Sequence, residues 1–438
     1  MPTIVNANPT KELFISMLTR DIDIKAAILE LIDNSIDGAK RLRPDGNYTG
    51  LFININYDTD KFLISDNCGG IGIEIATEYA FRFGRSSKRE KNPSNQQFTG
   101  IFGIGMKRSL FRLGNRFKVT SITKTDSFIL DVDVEEWVKN EDTNWTFELT
   151  EENKGLNNTE EETGTTIEIS NLHEGIKKQF SLDFFYNSLI SYIERYRTLA
   201  IENGLCITLN GKPIVFASEK IISSSTVTPY TYSTSIGSVV INIIAGMAPK
   251  GMPDNAGWYV YCNGRLIVFA DKTTLTGWGE DGVRQHHPSL AFFRGFVFFE
   301  SKDLEELPWN TTKTNVDASS QYYIFAKTKM REATLQIIKD CHAIIENTIP
   351  EELEKQLFSD RDLKALTSTS IQSFVKESKP FAFEVPELKT IEPSATITFQ
   401  KLKKDIDIMK RHMNVKSNKE VGMISFDYYY KKECDTDE

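Results

Sequence analysis

The feature that most constrains this chain is a helical segment, from about residue 23 to residue 41, whose two faces differ in chemistry. At about 100° per residue, Glu30, Asn34 and Asp37 fall on one face, with Asp33 at its edge. The opposite face carries the mostly apolar side chains of Ile28, Leu31, Ile32, Ser35 and Ala39. A face with three carboxyls and one amide is either a solvated surface with ion pairs along it or one wall of a polar site. The helix alone leaves both interpretations open.

Composition limits the classes of protein that remain. The chain of 438 residues is 40% hydrophobic, which is enough to bury a sizeable core and to divide into two or three domains. Its net charge of −9 argues against a protein whose whole surface binds nucleic acid, although a local basic groove is compatible with it. The five cysteines and five histidines show no metal-ligand spacing. There is no signal-peptide pattern and no run of about 18 apolar residues, so we expect a cytoplasmic protein.

Residues 51–57 and 62–64 are predicted to form two strands of a hairpin, and a glycine-rich turn follows the second strand. The strand at residues 62–64 runs directly into Asp66 and a turn that contains Gly69, Gly70 and Gly72. Glycine tolerates positive φ and lets a backbone approach another group closely. Asp66 is therefore placed to meet a ligand, although an ordinary turn also explains the glycines.

A second glycine-containing loop, with Gly100, Gly103 and Gly105, precedes a predicted helix at residues 108–113. The unpaired N–H groups and the dipole at a helix N-terminus suit phosphate. The loop lacks the Gly-Lys-Ser/Thr ending of a P-loop, so the common phosphate-loop ATPases are disfavoured. The polar stretch at residues 85–98 is interpreted as a mobile lid.

More strands are predicted after this loop, at residues 117–123, 128–134 and 145–149, and then one that opens with Gly164 and Thr165. An amphipathic helix ending near residue 200 closes the first domain.

Beyond that helix the pattern changes to strands, with a hairpin turn at Asn263 and Gly264. A polar loop carries Lys313, which taken alone is an ordinary surface charge. A long helix follows at residues 319–347, and the chain's last segment, residues 421–430, is interpreted as a strand or a partner-binding tail.

Four signals stand in a fixed order along the chain: the face with Glu30 and Asn34, then Asp66 with its glycines, the Gly100 loop, and the Thr165 strand. This order and spacing resemble the Bergerat-fold ATPases of the GHKL superfamily, which groups DNA gyrase B, heat-shock chaperones, histidine kinases and the mismatch-repair protein MutL. The resemblance covers roughly residues 10–200.

The resemblance implies roles for four of these residues. Glu30 would be the general base, and Asn34 would be the protein ligand of Mg²⁺. Asp66 would accept the amino group of adenine, and Thr165 would support that aspartate or a bridging water. Cys68 stands where the family has a glycine, which leaves the local turn uncertain.

Further contacts with ATP are implied for the two glycine-containing segments and for the lid. The residues concerned are Gly70, Ile71, Gly100, Gly103, Gly105, Met106 and Lys107, with Arg85 or Lys88 closing from the lid.

For the second part of the chain the resemblance is to transducer domains. Residues 261–265 look like a second-domain strand of MutL, and residues 311–313 look like the loop through which a transducer lysine senses the γ-phosphate. Lys313 is therefore predicted to be that sensor. Histidine kinases lack such a domain, and residues 83–88 are similar to MORC proteins.

The predicted fold is α+β. A Bergerat-fold ATPase domain, an α/β sandwich with a mixed sheet covered by helices, occupies residues 1–203. A transducer domain similar to ribosomal protein S5 occupies residues 204–348, and an extension of unknown role occupies residues 349–438.

The predicted function is that of a Mg²⁺-dependent ATPase that acts as a nucleotide-gated, dimerising clamp. DNA is the first candidate for what the clamp acts on, in repair, compaction or defence. The alternatives are a chaperone-like ATPase with protein clients and an interaction module that binds ATP without hydrolysing it.

Overall fold

The computed structural model describes residues 9–83, 104–140, 145–215, 219–223, 227–310, 313, 315–340, 362–365, 378–383 and 397–434. Two compact units are present, Met1–Val385 and Pro386–Glu438. Arg85, Lys88, Gly100 and Gly103 lie outside the described residues. In the described part of the chain, no helix has the length and apolar character needed to cross a membrane.

The first unit contains both helices and strands. Its described helices are α1 (Lys11–Thr19), α2 (Ile24–Leu42), α3 (Ile73–Ile75), α4 (Gly105–Leu113), α5 (Val134–Lys139), α6 (Glu174–Phe180), α7 (Asp183–Tyr196), α8 (Thr198–Glu202) and α9 (Gln321–Asp340). Its α+β class, with helices on a mixed sheet, confirms that part of the fold prediction.

An eight-stranded sheet organises the first half of this unit. Its strands are β1 (Phe52–Tyr57), β2 (Lys61–Asp66), β3 (Gly114–Ile122), β4 (Asp126–Asp133), β5 (Leu149–Lys154), β6 (Gly164–Leu172), β7 (Cys206–Leu209) and β8 (Lys212–Pro213). Their order is β5-β4-β3-β6-β2-β1-β7-β8, and only the β1–β7 pair among them is parallel. β7 and β8 thus join this sheet although they follow residue 203. The division of the chain into three domains, at residues 1–203, 204–348 and 349–438, stays a prediction.

Helix α2 confirms the predicted helix at residues 23–41. Asp23 caps it, because its side chain accepts a backbone N–H of the first turn at 2.9 Å. Ile32, which is fully buried, belongs to the core that the helix shares with the eight-stranded sheet. Asp33 and Asp37 on the polar face are buried as well. The polar face is therefore not a solvated surface.

A five-stranded sheet organises the second half of the first unit. Its strands are β11 (Tyr230–Ile236), β12 (Val239–Met247), β13 (Gly257–Cys262), β14 (Arg265–Asp271) and β15 (Phe293–Glu300), in the order β11-β12-β15-β13-β14. Only β13 and β15 among them are parallel. Helix α9 packs on β12, and Trp258 and Phe293 are among the fully buried side chains of this core. The short strand β9 (Lys220–Ser223) pairs with β16 (Asp362–Ala365). The short strand β10 (Val227–Thr228) pairs with β17 (Ala382–Phe383).

One strand prediction was wrong in position. Residues 145–149 were expected to form the strand, whereas β5 begins only at Leu149 and pairs with β4. Trp145 and Phe147 pack instead against the rings of Phe83 and Trp137. The apolar alternation that suggested a strand therefore reflects an aromatic cluster.

The second unit contains helices α10 (Lys403–Met413) and α11 (Asn418–Tyr429). The strand prediction for residues 421–430 was wrong, because α11 occupies most of that segment. Ser417 and Glu420 form a reciprocal capping box at its start, which satisfies two backbone N–H groups and favours helix.

Candidate functional site

A partly open cavity lies between α2, the end of β2, the start of β6 and α4. Its lining combines apolar side chains with a few polar ones, as small-molecule sites in proteins commonly do. The lining residues are Leu31, Asn34, Ser35, Gly38, Arg41, Ile64, Asp66, Cys68, Gly70, Ile71, Met106, Thr165 and Ile167. The structure thus brings together six of the residues predicted for nucleotide contacts: Asn34, Asp66, Gly70, Ile71, Met106 and Thr165.

Asp66 is held at the cavity by three neutral donors. Its Oδ2 accepts a hydrogen bond from the hydroxyl of Ser35 at 2.6 Å, and Oδ1 accepts the backbone N–H groups of Cys68 at 2.9 Å and Thr165 at 3.2 Å. Burial raises the pKa of Asp66, whereas these hydrogen bonds favour the charged form. A carboxylate has about four acceptor positions, so one remains for a ligand that donates an N–H or O–H.

A chain of hydroxyls lies beside this carboxylate. The hydroxyls of Thr165 and Ser121 are 3.2 Å apart, and Ser121 accepts the backbone N–H of Ile71 at 2.7 Å. Ser121 is fully buried on β3. Sequence analysis missed Ser121, and it placed Ser35 on the apolar face of α2. In both cases the available signal was a serine on the face of the helix or strand whose other residues are apolar.

The glycine-rich turn has a conformation that requires glycine at Gly70. Its φ is +70°, and a Cβ there would collide with the carbonyl oxygen of Ile122. Arg41 donates a weak hydrogen bond of 3.4 Å to the Gly70 carbonyl. Cys68 is buried, and its backbone N–H contributes to holding Asp66. A cysteine at this position is thus compatible with the turn.

The acidic face of α2 lies against two arginines from distant parts of the chain. Asp33 forms ion pairs with Arg197, at 2.7 Å from Nε to Oδ1, and with Arg265. Arg265 also donates to Oε1 of Glu30 at 2.9 Å. Although burial opposes ionisation, these two guanidinium groups hold the pKa of Asp33 below its ordinary value. Sequence analysis identified the carboxylates but not the arginines.

Asn34 lies between this charged cluster and Asp66 and lines the cavity. Its side-chain nitrogen is buried and has no hydrogen-bond partner among the described residues. An amide that no such bond holds in place can turn its oxygen toward a cation. Mg²⁺ prefers oxygen ligands and usually keeps waters and phosphates, so one protein oxygen suits it. The residues present therefore fit a magnesium–nucleotide complex.

The N-terminus of α4 faces Glu30. Gly105, Met106 and Lys107 form the first turn, in which backbone N–H groups have no intrahelical acceptor, and no side chain caps the helix. A Cβ at Gly105 would collide with Oε2 of Glu30, which shows how closely this carboxylate approaches the helix. An anion at this N-terminus would lie beside Glu30.

The Lys107 side chain points away from that turn. Its ammonium donates to the carbonyls of Ala80 at 2.8 Å and Arg82 at 2.6 Å. A contact between this ammonium and phosphate would require those bonds to break, whereas the backbone N–H of Lys107 stays in the first turn of α4.

Lys313 is buried near the acidic face rather than exposed on a surface loop. It is 8% exposed, adopts a φ of +52°, and lies with its ammonium 5.5 Å from the ring centre of Trp309. Burial lowers the pKa of Lys313, and the nearby carboxylates of Glu30 and Asp33 oppose that shift. The loop therefore brings a cation from the second half of the unit toward Glu30.

Lys107 should make stability depend on pH. Burial lowers the pKa of Lys107 from 10.5 to about 7. Between these values the unfolded chain binds more protons at this position than the folded chain, so the free energy of unfolding rises with pH. Lys107→Met should lose this rise, measured by urea unfolding at about pH 7 and about pH 9.5. Lys118→Met, at an exposed position on β3, serves as the control. The same stability difference between Lys107→Met and the native protein at both pH values would contradict the expectation.

A comparison with known protein families finds a match to part of the chain. Residues 22–165 match the model of the family described as histidine kinase-, DNA gyrase B-, and HSP90-like ATPase. No curated protein matches the chain. The matched segment contains α2, Asp66 and α4, and it ends at Thr165. The match supports assigning this segment to the GHKL superfamily of ATPases.

Proposed function

We propose that this protein binds ATP with Mg²⁺ in the cavity between α2, β2, β6 and α4 and hydrolyses it. The observation that carries the proposal is the Asp66 carboxylate, fixed by three donors at a cavity within the matched segment. Three features near that cavity support the proposal: a carboxylate with a remaining acceptor position, an amide oxygen, and a helix N-terminus next to a second carboxylate.

Asp66 recognises the base. The exocyclic amino group of adenine donates to the acceptor position that Ser35, Cys68 and Thr165 leave on the carboxylate. Because burial weakens competition from water, such a charge-assisted bond contributes about 1.5–3 kcal/mol. The glycine turn lies beside the base, since Gly70 lines the same cavity.

The phosphate end of the site is formed by α4, Asn34 and Glu30. The first-turn N–H groups of α4 would bind phosphate oxygens, and the Asn34 amide oxygen would hold the metal. When bound, Mg²⁺ offsets the negative charge that develops on the phosphates. Glu30 accepts the proton of the attacking water as general base, and Lys313 approaches the γ-phosphate from the second half of the unit.

Asp66→Asn should weaken nucleotide binding. The amide presents an N–H where the carboxylate accepted one, so the dissociation constant for ATP should rise by roughly 10- to 100-fold. Titration calorimetry with a non-hydrolysable analogue measures it. Asp131→Asn, at a half-buried carboxylate of β4 that pairs with Arg116 and does not line the cavity, is the matched control. Equal affinity of Asp66→Asn and the native protein would remove Asp66 as the adenine acceptor.

Glu30→Gln should abolish turnover while sparing binding. The amide has nearly the same shape but cannot take a proton from water, so kcat should fall by about 10²- to 10⁴-fold. Phosphate release and analogue affinity are measured on the same preparation. Glu174→Gln, at an exposed carboxylate on α6, should leave both quantities unchanged. Turnover at the native rate in Glu30→Gln would show that another group is the base.

We extend the proposal to a nucleotide-gated clamp in which the second half of the unit acts as a transducer similar to those of MutL and MORC proteins. The support is the approach of Lys313 and Arg265 to the acidic face of α2. These contacts allow the nucleotide state to influence the five-stranded sheet. DNA remains the first candidate for what the clamp encloses, on resemblance alone.

If ATP binds the dimer more tightly than the monomer, it must promote dimerisation. Light scattering should show the mass of a dimer with Mg²⁺ and a non-hydrolysable analogue, and a smaller mass without nucleotide. Asp66→Asn should stay at the smaller mass at the same analogue concentration. A native protein that remains monomeric at saturating analogue would refute the clamp.

A further inference from the structure

Arg265 connects the five-stranded sheet to the carboxylate that faces α4. Its Nη2 donates to Oε1 of Glu30 at 2.9 Å, and its Nη1 pairs with Asp33. The Arg265 side chain is 8% exposed. Asp33 is shared with Arg197, so two guanidinium groups balance two carboxylates in a buried cluster. Arg265 thus bridges both carboxylates.

The turn before Arg265 is anchored on both sides. Asn263 and Gly264 adopt positive φ values of 47° and 77°, as a tight hairpin turn requires. The Asn263 side chain exchanges hydrogen bonds with the backbone of Ser301, at 2.9 and 3.0 Å. Lys40, near the end of α2, donates to the Asn263 carbonyl at 3.1 Å. The guanidinium is therefore presented to α2 from a fixed hairpin.

The geometry divides the two oxygens of Glu30 between two tasks. Oε1 is occupied by Arg265, whereas Oε2 lies against Gly105 at the N-terminus of α4. A glutamate side chain has several rotatable bonds, and an unpaired one would sample many orientations. The bond to Arg265 selects the orientation in which the second oxygen faces the phosphate end of the cavity.

We propose that Arg265 is a positioning residue for hydrolysis: it aligns Glu30, so that ATP turnover depends on the docking of the five-stranded sheet against α2. This inference rests on the proposed function, because it assigns a cause to the alignment of the proposed base. Arg265 is expected to act on the chemical step and not on ATP affinity, since it pairs with Glu30 and Asp33 and does not line the cavity.

The test compares Arg265→Lys with the native protein. Lysine keeps the charge but lacks the planar fork that reaches both carboxylates. A misplacement of about 1 Å costs about 10² in rate, so kcat should fall by about 100-fold while the dissociation constant for a non-hydrolysable ATP analogue stays within about twofold. In the Glu30→Gln background, Arg265→Lys should cause no further loss of the residual turnover.

Arg294→Lys is the matched control. Arg294 is a fully buried arginine of the same sheet, and it pairs with Glu219. It lies near the start of β15, whereas the hairpin turn before Arg265 lies beside the end of β15, where Cys262 pairs with Phe299. Its kcat should equal that of the native protein, provided that thermal unfolding shows both variants folded.

Lys40→Met tests the same alignment while keeping the ion pairs of Arg265, although it also removes the 3.9 Å pair between Lys40 and Asp37. Lys40 is about one third exposed, so its loss should not unfold the chain, but it releases the contact with Asn263. A severalfold fall in kcat at unchanged affinity is expected.

Three results would overturn the inference: an unchanged or raised kcat in Arg265→Lys, a fall in kcat matched by lost affinity, or a full further fall in the Glu30→Gln background. If Glu30→Gln itself keeps native turnover, the proposed function fails and the inference fails with it. If Glu30→Gln is inactive and Arg265→Lys is fully active, only the inference fails.

Discussion

Burial of the acidic face of α2 is the constraint on which the rest of the first unit depends. Desolvating a carboxylate costs several kcal/mol unless cations and hydrogen bonds compensate for the loss of water. Asp33 and Glu30 obtain that compensation from Arg197, which directly follows α7, and from Arg265 on β14. The burial of α2 therefore depends on elements from both halves of the unit.

The two acidic groups at the site differ in environment, and this separates two tasks. Asp66 is held by neutral donors that favour its charged form although burial raises its pKa, and its remaining acceptor position suits a ligand that donates a hydrogen bond. Glu30 is paired with a guanidinium and faces a helix N-terminus, which is the environment of the proposed general base. Asn34, the proposed metal ligand, lines the same cavity as Asp66, and because it is neutral it adds no further buried charge.

The features that could be predicted from sequence are those with a local signal. The 3.6-residue period predicted α2, and the alternation and turn residues predicted the β1–β2 hairpin that ends at Asp66. The capping box of Ser417 and Glu420 was also a local signal, and overlooking it led to the wrong strand at residues 421–430. Arg197 and Arg265 could not be predicted in this way, because their contacts with Asp33 cross more than a hundred residues and no periodicity identifies such partners.

The central claim is that Asp66 and Glu30 lie at opposite ends of one bound ATP. A crystal structure of the full chain with Mg²⁺ and a non-hydrolysable ATP analogue tests it most directly. The account predicts the adenine amino group within hydrogen-bond distance of Asp66, the metal on the Asn34 oxygen, and the terminal phosphate between the first turn of α4 and Glu30. A nucleotide bound elsewhere, or one whose base lies away from Asp66, would contradict it.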